Sequence, residues 1–192
     1  MKEIIIVAPE QYQDLARKIT HEISKQPGYN GAYWTIKHFA DNEFQLGGNR
    51  YVVLMGNPDE NRFTKDYLQV INNLQNQAGV CYGFDGVKAV IFGEGKLEQE
   101  KDFKEVLKKC AGLAAGLGAA GTAGLSVGSV LAIGFVPLIT SILWPVAIVY
   151  YLVNRSAKAK KLRQDQTKAA LTLFMAECFD DWAGIKKTEQ GV

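Results

Sequence analysis

Between Lys109 and Arg155 the chain contains no Asp, Glu, Lys, Arg or His. Elsewhere its composition is ordinary: 22% of residues are charged and 47% are hydrophobic, so the anomaly lies in distribution rather than in amount. An excess of charge of one sign is also lacking, with 22 Lys and Arg against 20 Asp and Glu. A formal net charge of +2 excludes the strongly basic face that nucleic-acid binding favours, and no nucleic-acid partner is expected. Cysteine is sparse, with Cys81, Cys110 and Cys178 far apart and odd in number. They form neither a disulfide framework nor a metal-ligand spacing, which fits a reducing compartment. The two histidines, His21 and His38, have no metal-type spacing. Neither a GxGxxG fingerprint, a Walker A loop nor a GxSxG elbow occurs. No cofactor or metal is therefore expected. The opening MKEIIIVAPEQ is too short and too acidic for a signal peptide, and reads as a first strand.

The charged first part has the pattern of an α/β domain. Ile4–Val7 is a β-branched run ended by Pro9, as in a buried strand leading into a helix. Tyr12, Leu15, Ala16, Ile19 and Ile23 give that helix one apolar face. A strand is predicted from Tyr33 to Phe39, a turn from Asp41 to Arg50, and a buried strand over Tyr51–Met55. Phe63, Tyr67, Val70, Ile71 and Leu74 predict an amphipathic helix. Val80–Phe84 and Val87–Phe92 flank Asp85-Gly86, a hairpin signal. Lys96 to Cys110 is again helical in pattern. The fold expected over 1–109 is a mixed sheet with flanking helices.

The uncharged stretch, residues 111–154, numbers 44 positions. A single helix of that length would extend ~66 Å, about twice the hydrocarbon thickness of a bilayer. Two spans with a turn at Gly134–Pro137 fit better, one over about 111–133 and one over about 137–153. The flanks are basic on both sides: Lys108 and Lys109 before, and Arg155, Lys158, Lys160, Lys161 and Arg163 after. A transmembrane hairpin over 110–154 with both termini in the cytosol follows, as in a bacterial inner membrane. The alternative is a soluble hairpin inside a larger core, but so short a chain has little else to bury two apolar helices in. Gly112, Gly116, Ala120, Gly124, Gly128 and Ala132 recur every four residues. Such a stripe of small side chains suits close helix packing, either within one hairpin or between copies in a homo-oligomer.

Leu171, Phe174, Met175, Cys178, Phe179 and Trp182 define a C-terminal amphipathic helix within 155–184, expected to fold back on the α/β domain or pair with another copy. Residues 185–192 form a tail. Ligands of open α/β sheets bind beyond the carboxyl ends of the strands. There the candidates are Glu10, the loop carrying Asn57, Asp59 and Asn61, and Glu94. Asn57 or Asp59 serves equally well as a helix cap, and Glu10 with Glu94 would form a carboxylate pair only if their strands are neighbours. Three functions are compatible with this reading. One is a membrane-embedded effector that senses a small molecule or protein, self-associates through its hairpin and permeabilises the bilayer, in the manner of bacterial defence proteins. The others are a membrane-anchored enzyme on a nucleotide or sugar, and a passive scaffold.

Overall fold

The computed structural model describes residues 1–43, 48–119 and 147–184. Six strands form one sheet: β1 (Lys2–Ala8), β2 (Tyr29–Thr35), β3 (Arg50–Met55), β4 (Gln75–Gln77), β5 (Val80–Asp85) and β6 (Lys88–Gly93). Their order is β2-β1-β3-β6-β5-β4. The first four pair in parallel and the last two join antiparallel through β6, so the sheet is mixed. The helices are α1 (Gln13–Ser24), α2 (Ile36–Asn42), α3 (Arg62–Tyr67), α4 (Glu100–Ala119), α5 (Ala147–Glu177) and the short α6 (Phe179–Trp182).

The central strands are continuous apolar runs because both of their faces are covered. Ile4, Ile6, Val53, Met55, Ala89 and Ile91 point into one core, shared with α1, α4 and α5. Ile5, Val7, Val52, Leu54, Val90 and Phe92 point into the other, which α2 and α3 cover through Phe39 and Phe63. Those two rings meet edge to face with centroids 4.7 Å apart.

Three local expectations change. The predicted strand over Tyr33–Phe39 ends at Thr35, whose hydroxyl accepts the His38 N–H at 3.1 Å and caps α2. That helix turns Phe39 into the second core and takes in Asp41, which the predicted turn contained. The helix predicted through Leu74 stops at Tyr67, leaving Val70 57% exposed. Tyr67 donates to the Asp85 and Lys88 carbonyls (2.6 and 3.1 Å), and the chain then turns to supply the edge strand β4. The Asp85-Gly86 hairpin forms as expected, with Asp85 opposite Lys88.

The helix at the C-terminus does fold back, and it does more than cover an edge. Leu162, Ala169, Ala170, Leu171, Leu173 and Phe174 of α5 are buried in the same cluster as β1 and α1. Trp182 stacks edge to face on Tyr51 of β3 at 5.3 Å, and Lys2 donates to the Ala183 carbonyl. Residues 1–109 and 162–183 therefore build one core. Among the described residues no helix is long and apolar enough to cross a membrane. Ala120, Gly124, Gly128, Gly134 and Pro137 lie outside the described residues. Gly112 and Gly116 lie within α4, which passes Cys110 without a break.

Candidate functional site

The strand order reverses between β1 and β3. The chain passes from β1 outward to β2, then back across β1 to β3. In open α/β sheets such a reversal leaves a crevice beyond the carboxyl ends, where ligands commonly sit. Pro9 ends β1 there, and Gly56-Asn57 ends β3. Gly56 has φ +102°, and a Cβ on it would stand 3.1 Å from Pro9 Cγ, so a side chain at this position is doubly disfavoured.

The loop after β3 holds itself together. The Asn57 side-chain oxygen accepts the Glu60 N–H at 3.0 Å. Asn61, fully buried, accepts the Phe63 N–H at 3.1 Å and donates to the Met55 carbonyl at 3.0 Å. Asn61 thus caps α3 and Asn57 closes the turn before it. Asp59 takes no part in the capping and stays exposed.

Four side chains from distant parts of the chain close the crevice. Glu60 accepts an ion pair from Arg163 of α5 at 3.2 Å, and its other oxygen lies 3.3 Å from the Tyr12 hydroxyl. Tyr12 in turn lies 3.3 Å from the Thr167 hydroxyl, one turn along α5 from Arg163. Burial pushes the Tyr12 phenol up to about 12, against the Thr167 hydrogen bond and with the Glu60 charge. The end of β6 is tied to the same helix: Gly93 N–H donates to Thr167 Oγ1 at 2.9 Å, and Gly95 N–H to Gln166 Oε1 at 2.7 Å. Gln166 also donates to the Ala78 carbonyl at 2.7 Å. Strand ends normally leave such groups to water or a ligand; here α5 satisfies them.

The structure brings Asn57 and Asn61 together with Glu60, Tyr12, Arg163 and Thr167. It does not bring Glu10 to Glu94, because β3 lies between β1 and β6. Glu10 is exposed beside Pro9. Glu94 is held by Gln99 (2.6 Å), Asn76 (3.2 Å) and Lys96 (3.2 Å). Burial raises the Glu94 carboxyl, and these bonds outweigh it, so its proton affinity is lowered. No carboxylate pair forms. Arg163 and Thr167 had no sequence signal for this site, since each stands more than 100 positions from its partner, Glu60 or Tyr12.

No family model, curated protein or solved structure matches the chain. Its chemistry must be read from its own residues. Tyr12, Tyr82 and Cys81 are raised by burial, and Glu94 and Glu177 are lowered by their partners. Each of these shifts moves the group away from neutrality, the opposite of what a general acid or base needs. Among the described residues no cluster of His, Cys, Asp and Glu has metal-site geometry. A second concavity, of about 410 Å³, lies where α5 first meets the domain, lined by Gly95, Lys96, Leu97, Glu98, Arg155, Ser156 and Ala159.

The basic residues that flank the uncharged stretch divide by role. Lys109 pairs with Glu177 and Lys158 with Glu100, both at 2.7 Å, across the interface of α4 and α5. Lys108 pairs within α4 with Glu105. Arg155, Lys160 and Lys161 are exposed.

Proposed function

We propose that the chain is a membrane-anchored effector. Its α/β domain senses a small molecule or protein at the crevice between β1 and β3. Its uncharged stretch enters the bilayer, where the glycine stripe draws copies together and permeabilises the membrane. The observation that carries this reading is the continuity of α5. One helix leads from Ala147, inside the uncharged stretch, to Arg163, Gln166 and Thr167 at the crevice. The 16 helical rises from Ala147 to Arg163 make a rod of ~24 Å. A ligand that displaces Glu60 from Arg163 would therefore act on the arm of the membrane segment directly.

The test uses the full chain and liposomes of phosphatidylethanolamine and phosphatidylglycerol. Resistance to carbonate washing and leakage of an entrapped dye are the expected results. Recovery of the protein in the wash would remove the anchor. Anchoring without leakage or self-association would leave the passive scaffold. Insertion of three Gly residues between Asn154 and Arg155 breaks the rod outside the core. It should preserve anchoring and make leakage insensitive to Arg163→Ala. If Arg163→Ala alters leakage equally in both backgrounds, α5 is not the coupling element.

A further inference from the structure

The contacts between α4 and α5 fix their relative direction. Near the start of α4, Glu100 pairs with Lys158 at 2.7 Å. Ten residues on, Cys110 Sγ lies 4.0 Å from the Ala169 carbonyl, and Lys109 reaches Glu177 at 2.7 Å. Residue numbers rise together on both helices, so the two run parallel. Both descend from the carboxyl edge of the parallel strands, where Gly95 meets Ala159, to the opposite edge, where Trp182 meets Tyr51.

This arrangement bears on the membrane hairpin. Residue 111 lies beside about residue 170, whereas residue 153 is 17 residues further back, a separation of ~25 Å along the axis. The arms of a hairpin stand ~8–10 Å apart and run in opposite directions. Nor can the intervening chain make the hairpin alone. Only 27 residues separate Ala119 from Ala147, and two spans need about 17 each plus a turn. The arms must therefore draw on α4 and α5 themselves, whose ends point the wrong way while the helices stay packed.

We propose that the packed α4–α5 pair is the uninserted form of the chain, and that α4 parts from α5 at the Lys109–Glu177 and Cys110–Ala169 contacts when the stretch enters a bilayer. This rests on the membrane reading above. Of the two helices α4 is the one built to leave. It commits Phe103, Val106 and Cys110 to the core, and its Lys101, Asp102, Lys104 and Glu105 are exposed. Among the described residues α5 commits twice as many buried apolar side chains, and it also satisfies the Gly93 and Gly95 N–H groups. The insertion step thus leaves the sheet and α5 intact.

The experiment bridges Lys109→Cys to Glu177→Cys with a short reducible bis-methanethiosulfonate in a Cys178→Ser background, and floats the full chain with liposomes. The bridged protein should remain unbound, or wash off in carbonate, and reduction should restore insertion to the unbridged level. Equal insertion of bridged and reduced protein overturns the parting of α4. Failure of the wild-type chain to insert under any condition is a separate result that removes the membrane reading, and this proposal with it. A second measurement leaves the interface untouched. Spin labels at the exposed positions Lys104→Cys and Lys161→Cys, again with Cys178→Ser, should move apart on insertion. An unchanged distance in liposome-inserted protein overturns the proposal.

Discussion

At the scale of single residues, the crevice is held by side chains whose replacements have different costs. Gln166 is fully buried and serves two backbone groups, Gly95 N–H and Ala78 C=O. Gln166→Leu would orphan both, at about 1–3 kcal/mol each; urea unfolding should show a loss of roughly 2–6 kcal/mol with an unchanged m-value. Gly93 admits α5 at close range, since a Cβ there would stand 2.6 Å from Gln166 Cβ. Gly93→Ala should cost ~1–3 kcal/mol by pushing α5 off the strand. Glu177 sets an acid limit. Burial raises its carboxyl, but hydrogen bonds from Lys109 and Tyr82 outweigh this and lower it. Its contribution is therefore present above the ordinary carboxylate range and is lost as pH falls through its lowered folded value. With the side chain a third exposed, screening keeps that contribution small. Glu177→Gln should flatten the acid limb of a stability–pH curve without changing stability near pH 2, and an unchanged limb would refute the assignment.

At the scale of elements, α3 and α5 teach opposite lessons about apolar periodicity. The stripe Phe63, Tyr67, Val70, Ile71, Leu74 promises three turns, yet the helix ends at Tyr67. Periodicity reports that a helix is possible; here the hydrogen bonds of Tyr67 to the β5–β6 hairpin and the demand of β4 for its edge position decided the length. Val70→Asp should accordingly leave stability within ~0.5 kcal/mol, as for an exposed site. In α5 the pattern understates the element. Leu171 to Phe174 show the buried face, but the basic cluster between Arg155 and Arg163 gives no hint that the same helix starts at Ala147. For α4, Gly116→Leu should weaken chain–chain crosslinking in liposomes if the glycine stripe is the seam between copies. Crosslinking at the wild-type level would assign the stripe to packing within one chain.

At the scale of the whole molecule, the chain closes on itself. Segments separated by the uncharged stretch share one core, with Leu162–Phe174 and Trp182 set against β1, β3, β5 and β6. A chain ending at Lys109 would expose that face of the sheet. It should show no cooperative thermal transition and should be cleaved rapidly by protease; a cooperative melt would mean that residues 1–109 are a domain on their own.

The strands β1, β3, β5 and β6, the helix α1, the β5–β6 hairpin and the α/β class followed from local pattern, because β-branched runs, a Pro after a strand and Asp-Gly between strands act within a few residues; α2 and β4 did not, since a strand was expected over Tyr33–Phe39 and no strand at Gln75–Gln77. The apolar face of the C-terminal helix was legible too, but its place was not: of the two expected partners, the α/β domain and another copy, tertiary packing chose the domain. The loop at Asn57–Asn61 could be located as a strand end, and its capping role was foreseen in kind, with Asn61 taking the position assigned to Asn57 or Asp59. Strand order, the separation of Glu10 from Glu94, the junction of Arg163 with Glu60 and the parallel sense of α4 and α5 were decided only in three dimensions. Each depends on which apolar faces meet between segments far apart in the chain, and the free energy of such burial is non-directional and carries no local signature.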